Sequence, residues 1–221
     1  MKNVFWFLIF AIFLSSCALH KKSNQKTKIR EITNLAYFEP LAFVGLIHKD
    51  NLNTLNDSVS MISKKLLETA ILQSTNNKVH KKITVNDPKI REKINKELSY
   101  LFQKILNYNK IANVKITPTI DSVLKNNNQR FVLATVTDGF VKIETAEVQN
   151  NNDIFSKPIS TLDLLVEVRN KPILTLHALI IDNEKGNVIF YDHTHPVYKQ
   201  PTDKKNIEKQ YQKLFKGYYH N

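Results

Sequence analysis

ILTLHALIIDNEKGNVIFY, residues Ile173 to Tyr191, holds a nine-residue and a five-residue apolar run separated by Asp182-Asn183-Glu184-Lys185-Gly186. Short runs rich in Ile, Leu, Val and aromatic residues around a polar loop ending in glycine read as a β-hairpin. Upstream, Leu162, Leu164, Val166 and Val168 alternate and predict a further strand, broken at Asn170-Lys171-Pro172. Leu41–Ile47 (LAFVGLI) and Phe131–Val136 (FVLATV) are near-continuous apolar runs, the pattern of buried strands. Asp138-Gly139 bends or ends the second of these, Ile83-Thr84-Val85 reads as a short strand, and Asn150 to Pro158 reads as a loop.

The strands are interleaved with helical patterns. Asp57 reads as an N-cap, followed by Val59, Ile62, Leu66 and Ala70 at helical spacing, with Met61 and Leu67 widening the stripe. Asp87-Pro88 and Thr117-Pro118 each combine a capping side chain with proline at the first helical position. The first opens a helix with Ile90, Ile94, Leu98, Leu101 and Ile105 on one face. The second opens a shorter helix with Ile120, Val123 and Leu124, ended by Asn126-Asn127-Asn128. Thr202 or Asp203 caps a C-terminal helix bearing Ile207, Tyr211, Leu214, Phe215 and Tyr218. The expected class is α+β (α/β-like): one mixed β-sheet of about five strands with amphipathic helices packed on it and a C-terminal helix.

The N-terminus carries the clearest functional signal. Lys2 precedes an apolar run of eleven residues, Val4 to Leu14. A membrane-spanning helix needs about 20, so this run fits the apolar region of a secretory signal instead. It ends in Leu14-Ser15-Ser16-Cys17, which resembles the bacterial lipobox: an aliphatic residue, two small residues and a cysteine. The resemblance implies cleavage before Cys17, a thioether-linked diacylglycerol on its sulfur, and acylation, typically by palmitate, of the new amino group. Only a thiolate offers the required nucleophile. Expected boundaries are therefore a signal peptide at 1–16, a lipidated tether at 17–35 and a single domain at 36–221. Similarity to lipoprotein sorting places the chain at the outer membrane, facing the periplasm, because Ala18 is not the aspartate of inner-membrane retention and no acidic cluster follows Cys17.

The formal charge is +12. Such a balance suits nucleic acid, anionic lipid or an acidic polymer. Yet only four of the basic residues are arginines, the side chain that reads phosphate and base edges with a fork, and a secretory signal leads away from nucleic acid. Lys21 to Arg30 holds five basic residues and no acidic one, a polar run able to lie against anionic headgroups beside the anchor. Cys17 is the only cysteine, so no internal disulfide supports the fold.

Chemistry-bearing residues are sparse elsewhere. Asp192-His193-Thr194-His195 has metal-ligand flavour: if the strand continues, His193 and His195 share a face and could hold a zinc, with further ligands needed. His177 lies inside an apolar strand and reads as a core or edge residue. There is no Gly-x-Ser-x-Gly stretch and no glycine-rich phosphate loop among four glycines. The sequence gives no support for an enzyme, a bound metal or a cofactor.

At domain level, Asp57 with its helix, Ile120-Asp121-Ser122-Val123-Leu124 before Phe131-Val132-Leu133, and the Asp182–Ile189 hairpin are similar to a small α/β domain found in several envelope proteins. These are the curli-secretion lipoprotein, the lipoprotein activators of cell-wall synthases, and the N-terminal domain of the Tol-system periplasmic protein. The chain departs from that pattern by insertions at 74–115 and 142–160 and by lacking a transmembrane hairpin pair. The resemblance implies a module that binds other envelope proteins. Two alternatives stand beside it: a binding module for an acidic glycan or lipid headgroup, and a metal-dependent enzyme at His193 and His195.

Overall fold

The computed structural model describes residues 22–23, 32, 34–47, 53–74, 79–108, 110–111, 114–142 and 171–216. The apolar leader, Cys17, the strand expected at 162–168, the 150–158 loop and Tyr218 lie outside them. Within them the chain runs β1 (Lys22–Ser23), β2 (Leu35–Tyr37), β3 (Leu41–Ile47), β4 (Asn53–Leu55), α1 (Asp57–Gln73), β5 (Val79–Lys82), α2 (Pro88–Tyr108), α3 (Pro118–Asn126), β6 (Phe131–Lys142), β7 (Ile173–Asp182), β8 (Asn187–His193) and α4 (Lys204–Leu214). The eight described strands form one mixed sheet, so the class is α+β as the periodicities predict.

The long strand β6 organises the sheet. On one side it pairs antiparallel with β7 along Phe131–Phe140, and β7 pairs antiparallel with β8. Its other side is shared by two parallel strands: β2 covers Phe131–Leu133 and β3 covers Val136–Lys142. Pro40 explains the interruption between them, since proline lacks the amide a ladder needs. β5 then extends β2 and β4 extends β3, while β1 pairs with the outer edge of β8.

Alternation along the strands sorts the core into two layers. Ala36, Val132, Ala134, Leu179 and Tyr191 face α2 and α3. Leu35, Leu133, Leu176, Ile180 and Phe190 face α1 and α4. Helix α2 buries Ile94, Leu98, Leu101, Phe102 and Ile105. At about 2 kcal/mol per buried large apolar side chain, that stripe contributes on the order of 10 kcal/mol and decides where the helix lies. Buried Ile32 and Leu35 show that packing begins inside the segment read as tether.

Several local expectations change. Asn56, not Asp57, caps α1: its backbone is extended and its side-chain oxygen accepts from the Val59 amide at 3.0 Å. Asp57 instead sits in the first turn, where its charge complements the helix dipole. The buried face of α1 is Ser63, Leu67, Ala70 and Ile71, while Met61 and Ile62 are 56% and 48% exposed. The sequence fits two overlapping stripes, and the wedge between β3 and α4 selects the one with the small residues Ser63 and Ala70. The short strand is Val79–Lys82 rather than 83–85. It is polar because it lies at the sheet's margin, and the Ile83 amide still donates to the Tyr37 carbonyl at 2.8 Å.

β6 does not bend or end at Asp138-Gly139 but continues to Lys142. A Cβ at Gly139 would lie 2.0 Å from the Ile173 carbonyl oxygen, so glycine is what lets β7 pass there. The hairpin loop closes as predicted around Gly186, at φ 61°. The fully buried carboxylate of Asp182 fastens it, accepting from the Glu184 amide at 3.1 Å and from both Arg130 Nε and Nη2 at 3.2 Å. Asp87, Thr117 and Asp203 cap their helices as expected.

Candidate functional site

Two regions combine exposed chemistry with defined geometry. The first is the margin of the sheet beside β3. β4 covers β3 only from Gly45 to Ile47, and β5 lies beyond β2, leaving Pro40–Phe43 with no outer neighbour among the described strands. The Val44 amide donates to Ser60 Oγ at 3.0 Å and its carbonyl accepts from the Asn56 amide at 3.0 Å, so Val44 points away from β6. Alternation then points the Ala42 amide and carbonyl the same way. They open into a groove of about 550 Å³ between α1 and α2, lined by Ala42, Phe43, Lys64, Asn95, Ser99 and Tyr100 among others. Phe43 is 40% and Tyr100 57% exposed along it. Charged groups set its lower end: Lys64 pairs with Glu39 at 3.2 Å, and Lys82 joins Glu68 at 2.7 Å. The neighbouring Tyr37 donates to Glu68 Oε1 at 3.3 Å, and burial with the Glu68 charge pushes its pKa up to about 12.

The second region holds the histidines. His177 opposes His193 across β7 and β8, their rings stacked at 5.8 Å. Tyr191 stacks on both and its hydroxyl shares a 2.9 Å hydrogen bond with His177 Nδ1. Phe102 from α2 closes the row edge-on, 6.5 Å from His177. β8 ends at His193, so His195 does not share its strand face; the two rings meet edge to face at 6.3 Å. Among the described residues no group of three or more His, Cys, Asp or Glu side chains is gathered to hold a metal. The His-x-His spacing thus gives a ring contact, with no further ligand supplied by the described residues.

Beyond His193 the chain turns back onto β7. The Thr194 amide donates to the Leu176 carbonyl at 2.9 Å, and Val197 exchanges backbone bonds with Leu174 at 2.9 and 3.1 Å. This return and α4 enclose a cavity of about 470 Å³ lined by Asp192, His193, Thr194, His195, Val197, Gln210, Lys213 and Lys216. Gln210 is 4% exposed. Sequence patterning passed over it because a glutamine on a helix reads as surface.

His177 gives the domain a pH dependence. Burial, and secondarily the charge of His193, lower its pKa to about 4. The unfolded chain takes up this proton near pH 6.5 and the folded one only near pH 4. Stability is therefore full above about pH 6.5 and falls as the pH drops towards 4, by up to about 3 kcal/mol. Denaturation of wild type and His177→Gln at pH 7 and pH 4.5 checks this. The variant is expected to lose less stability on acidification, and equal losses would contradict the assignment.

No protein-family model matches the chain, and no curated protein matches it. Solved structures show slight likenesses. The PelC dodecamer from Paraburkholderia phytofirmans aligns at 8% identity and TM-score 0.40, covering 89% of this chain and 94% of that one. The LpoB C-terminal domain from Salmonella enterica aligns at 10% identity and TM-score 0.31, covering 87% and 93%. Lipoprotein GNA1162 from Neisseria meningitidis aligns at 9% identity and TM-score 0.33, covering 83% and 96%. The neighbours thus include a lipoprotein, at scores too low to carry a role across. No helix among the described residues is long and apolar enough to cross a membrane.

Proposed function

We propose that this chain is a lipid-anchored module of the cell envelope that binds a protein partner and performs no catalysis. Cys17 carries the lipid, the basic run behind it lies at the membrane surface, and the anchor sits at the outer membrane with the domain in the periplasm. The observation that supports partner binding is the open margin at Pro40–Phe43. An extended segment laid there would pair with the outward amide and carbonyl of Ala42 and rest apolar side chains on Phe43 and Tyr100, the mode by which peptides add a strand to a sheet. Unpaired strand margins attract such additions unless they are guarded. The guards here are the Lys64 and Lys82 ion pairs at one end and the exposed Glu92–Lys96 pair on the α2 side, and between them the groove presents Phe43 and Tyr100.

The test exploits the direction of Ala42. Its amide takes no part in the ladder with β6, so Ala42→Pro removes the outward donor and leaves the β3–β6 pairing in place. A photo-crosslinking amino acid at Tyr100, activated in intact envelopes, is expected to give one discrete adduct. Combining it with Ala42→Pro is expected to reduce that adduct at least about tenfold, with the unfolding midpoint little changed. An undiminished adduct would mean that any partner lies elsewhere.

A further inference from the structure

We infer that the segment received at the open margin of β3 is acidic: an extended peptide that sets a carboxylate against Arg91 and, about four residues away, an aromatic or large apolar side chain against Phe43 and Tyr100. This rests on the partner-binding role proposed for that margin. The groove beside Ala42 does not stop at its charged end. It runs into a second depression of about 230 Å³, and Asn95 lines both. Ile83, Val85 and Ile94 form the apolar part of that depression, with Glu39, Lys82 and Arg91 as its charged part. Arg91, near the start of α2, donates from Nε and Nη2 to the Val85 carbonyl at 3.2 and 2.8 Å, which fixes the plane of its guanidinium. The Nη1 side of the fork is left over.

The other charged groups along the two depressions are already matched. Glu39 takes Lys64 at 3.2 Å and Lys82 at 3.7 Å, Lys82 also holds Glu68 at 2.7 Å, and Glu92 holds Lys96 at 2.6 Å. Three basic groups at this end, Lys64, Lys82 and Arg91, thus face two acidic ones, Glu39 and Glu68. The cation left without an acidic partner among the described residues is Arg91. A carboxylate arriving here meets a Glu39 already neutralised by two lysines and, in Arg91, a planar fork suited to bidentate pairing.

The spacing follows from α2. Glu39 and Arg91 lie together at one end of the trough, and Phe43 and Tyr100 at the other. Arg91 and Tyr100 are nine residues apart on α2, a rise of about 14 Å. Four residues of extended chain cover about 13 Å, and residues four apart point to the same face of a strand. A peptide paired with Ala42 therefore turns both side chains toward α2. At a spacing of three, one of them turns toward α1 instead.

The full chain in non-ionic detergent, titrated against short fluorescein-labelled peptides, tests the inference. Each probe is a threonine–valine peptide with one glutamate and one phenylalanine four residues apart, in either order. One order is expected to bind saturably, and which one reports the direction of the added strand. Replacing its glutamate by glutamine should weaken binding about fivefold, and moving the glutamate to a spacing of three at least about tenfold. Arg91→Glu should weaken the glutamate peptide at least tenfold and should bind the same peptide with lysine in that place better than wild type does. A merely structural role of Arg91 would not produce this reciprocal exchange. If Arg91→Glu loosens the chain at Val85, the peptide changes on the wild-type protein still decide the matter. No binding in either order, equal binding of the glutamine peptide, or indifference to spacing overturns the inference. Crosslinking in envelopes separates it from the reading it rests on. A Tyr100 adduct that falls with Ala42→Pro but not with Arg91→Glu retires the acidic segment alone, and an adduct unaffected by either retires the margin itself.

Discussion

Gly139→Ala is expected to lower the stability of the domain by at least about 3 kcal/mol, the largest effect of any single methyl group here. Gly139 lies in the middle of β6, opposite Val44 of β3 and Leu174 of β7. A Cβ at this position would approach the Ile173 carbonyl oxygen to 2.0 Å and its carbon to 3.0 Å. Those are backbone atoms of a paired strand, so no rotamer change relieves the clash. β7 must move away, which opens the ladder at the start of the hairpin that forms half of the core. Gly186→Ala gives the comparison: φ there is 61° but nothing lies within 4 Å of the new Cβ. It should lose only about 1 kcal/mol of left-handed strain. Urea unfolding of the two variants should separate them clearly. If Gly139→Ala unfolds no more readily than Gly186→Ala, the β6–β7 register is wrong.

Cys17→Ala is expected to move nearly all of the chain out of the washed membrane fraction while its unfolding transition stays at the wild-type position. Each buried methylene holds a lipidated protein by about 0.8 kcal/mol. One acyl chain binds only marginally, but three together anchor stably. Without them, what remains is an eleven-residue apolar run, too short to span a bilayer, and a basic segment whose attraction salt weakens. The domain should be indifferent because its described core draws nothing from residues before Ile32. Retention of the variant in salt-washed membranes would contradict the anchor.

How far the sequence could be read follows from which physical signals are local. Proline-marked helix starts at Asp87 and Thr117, the hairpin around Gly186 and the apolar runs of β3, β6 and β7 depend on neighbouring residues, and the structure reproduces them. The buried stripe of α1 depends on what it packs against. Met61 and Ile62 look like core until the narrow space beside β3 favours Ser63 and Ala70. β5 carries Val-His-Lys-Lys, with no strand pattern, because pairing with β2 alone makes it a strand. Continuation of β6 through Gly139 needed knowledge of how closely Ile173 passes. The same holds for the sites. His193 and His195 were visible as a pair, but their edge-to-face contact follows from β8 ending between them. The groove beside Ala42 and the burial of Gln210 arise from elements that meet only in the folded chain.

The lipid anchor is tested most simply by the mass of the N-terminal peptide released by proteolysis from the protein isolated from its own membranes. The expected peptide begins at Cys17 and carries a diacylglycerol on sulfur and an acyl group on nitrogen. A peptide that begins elsewhere, or an unmodified Cys17, would contradict it.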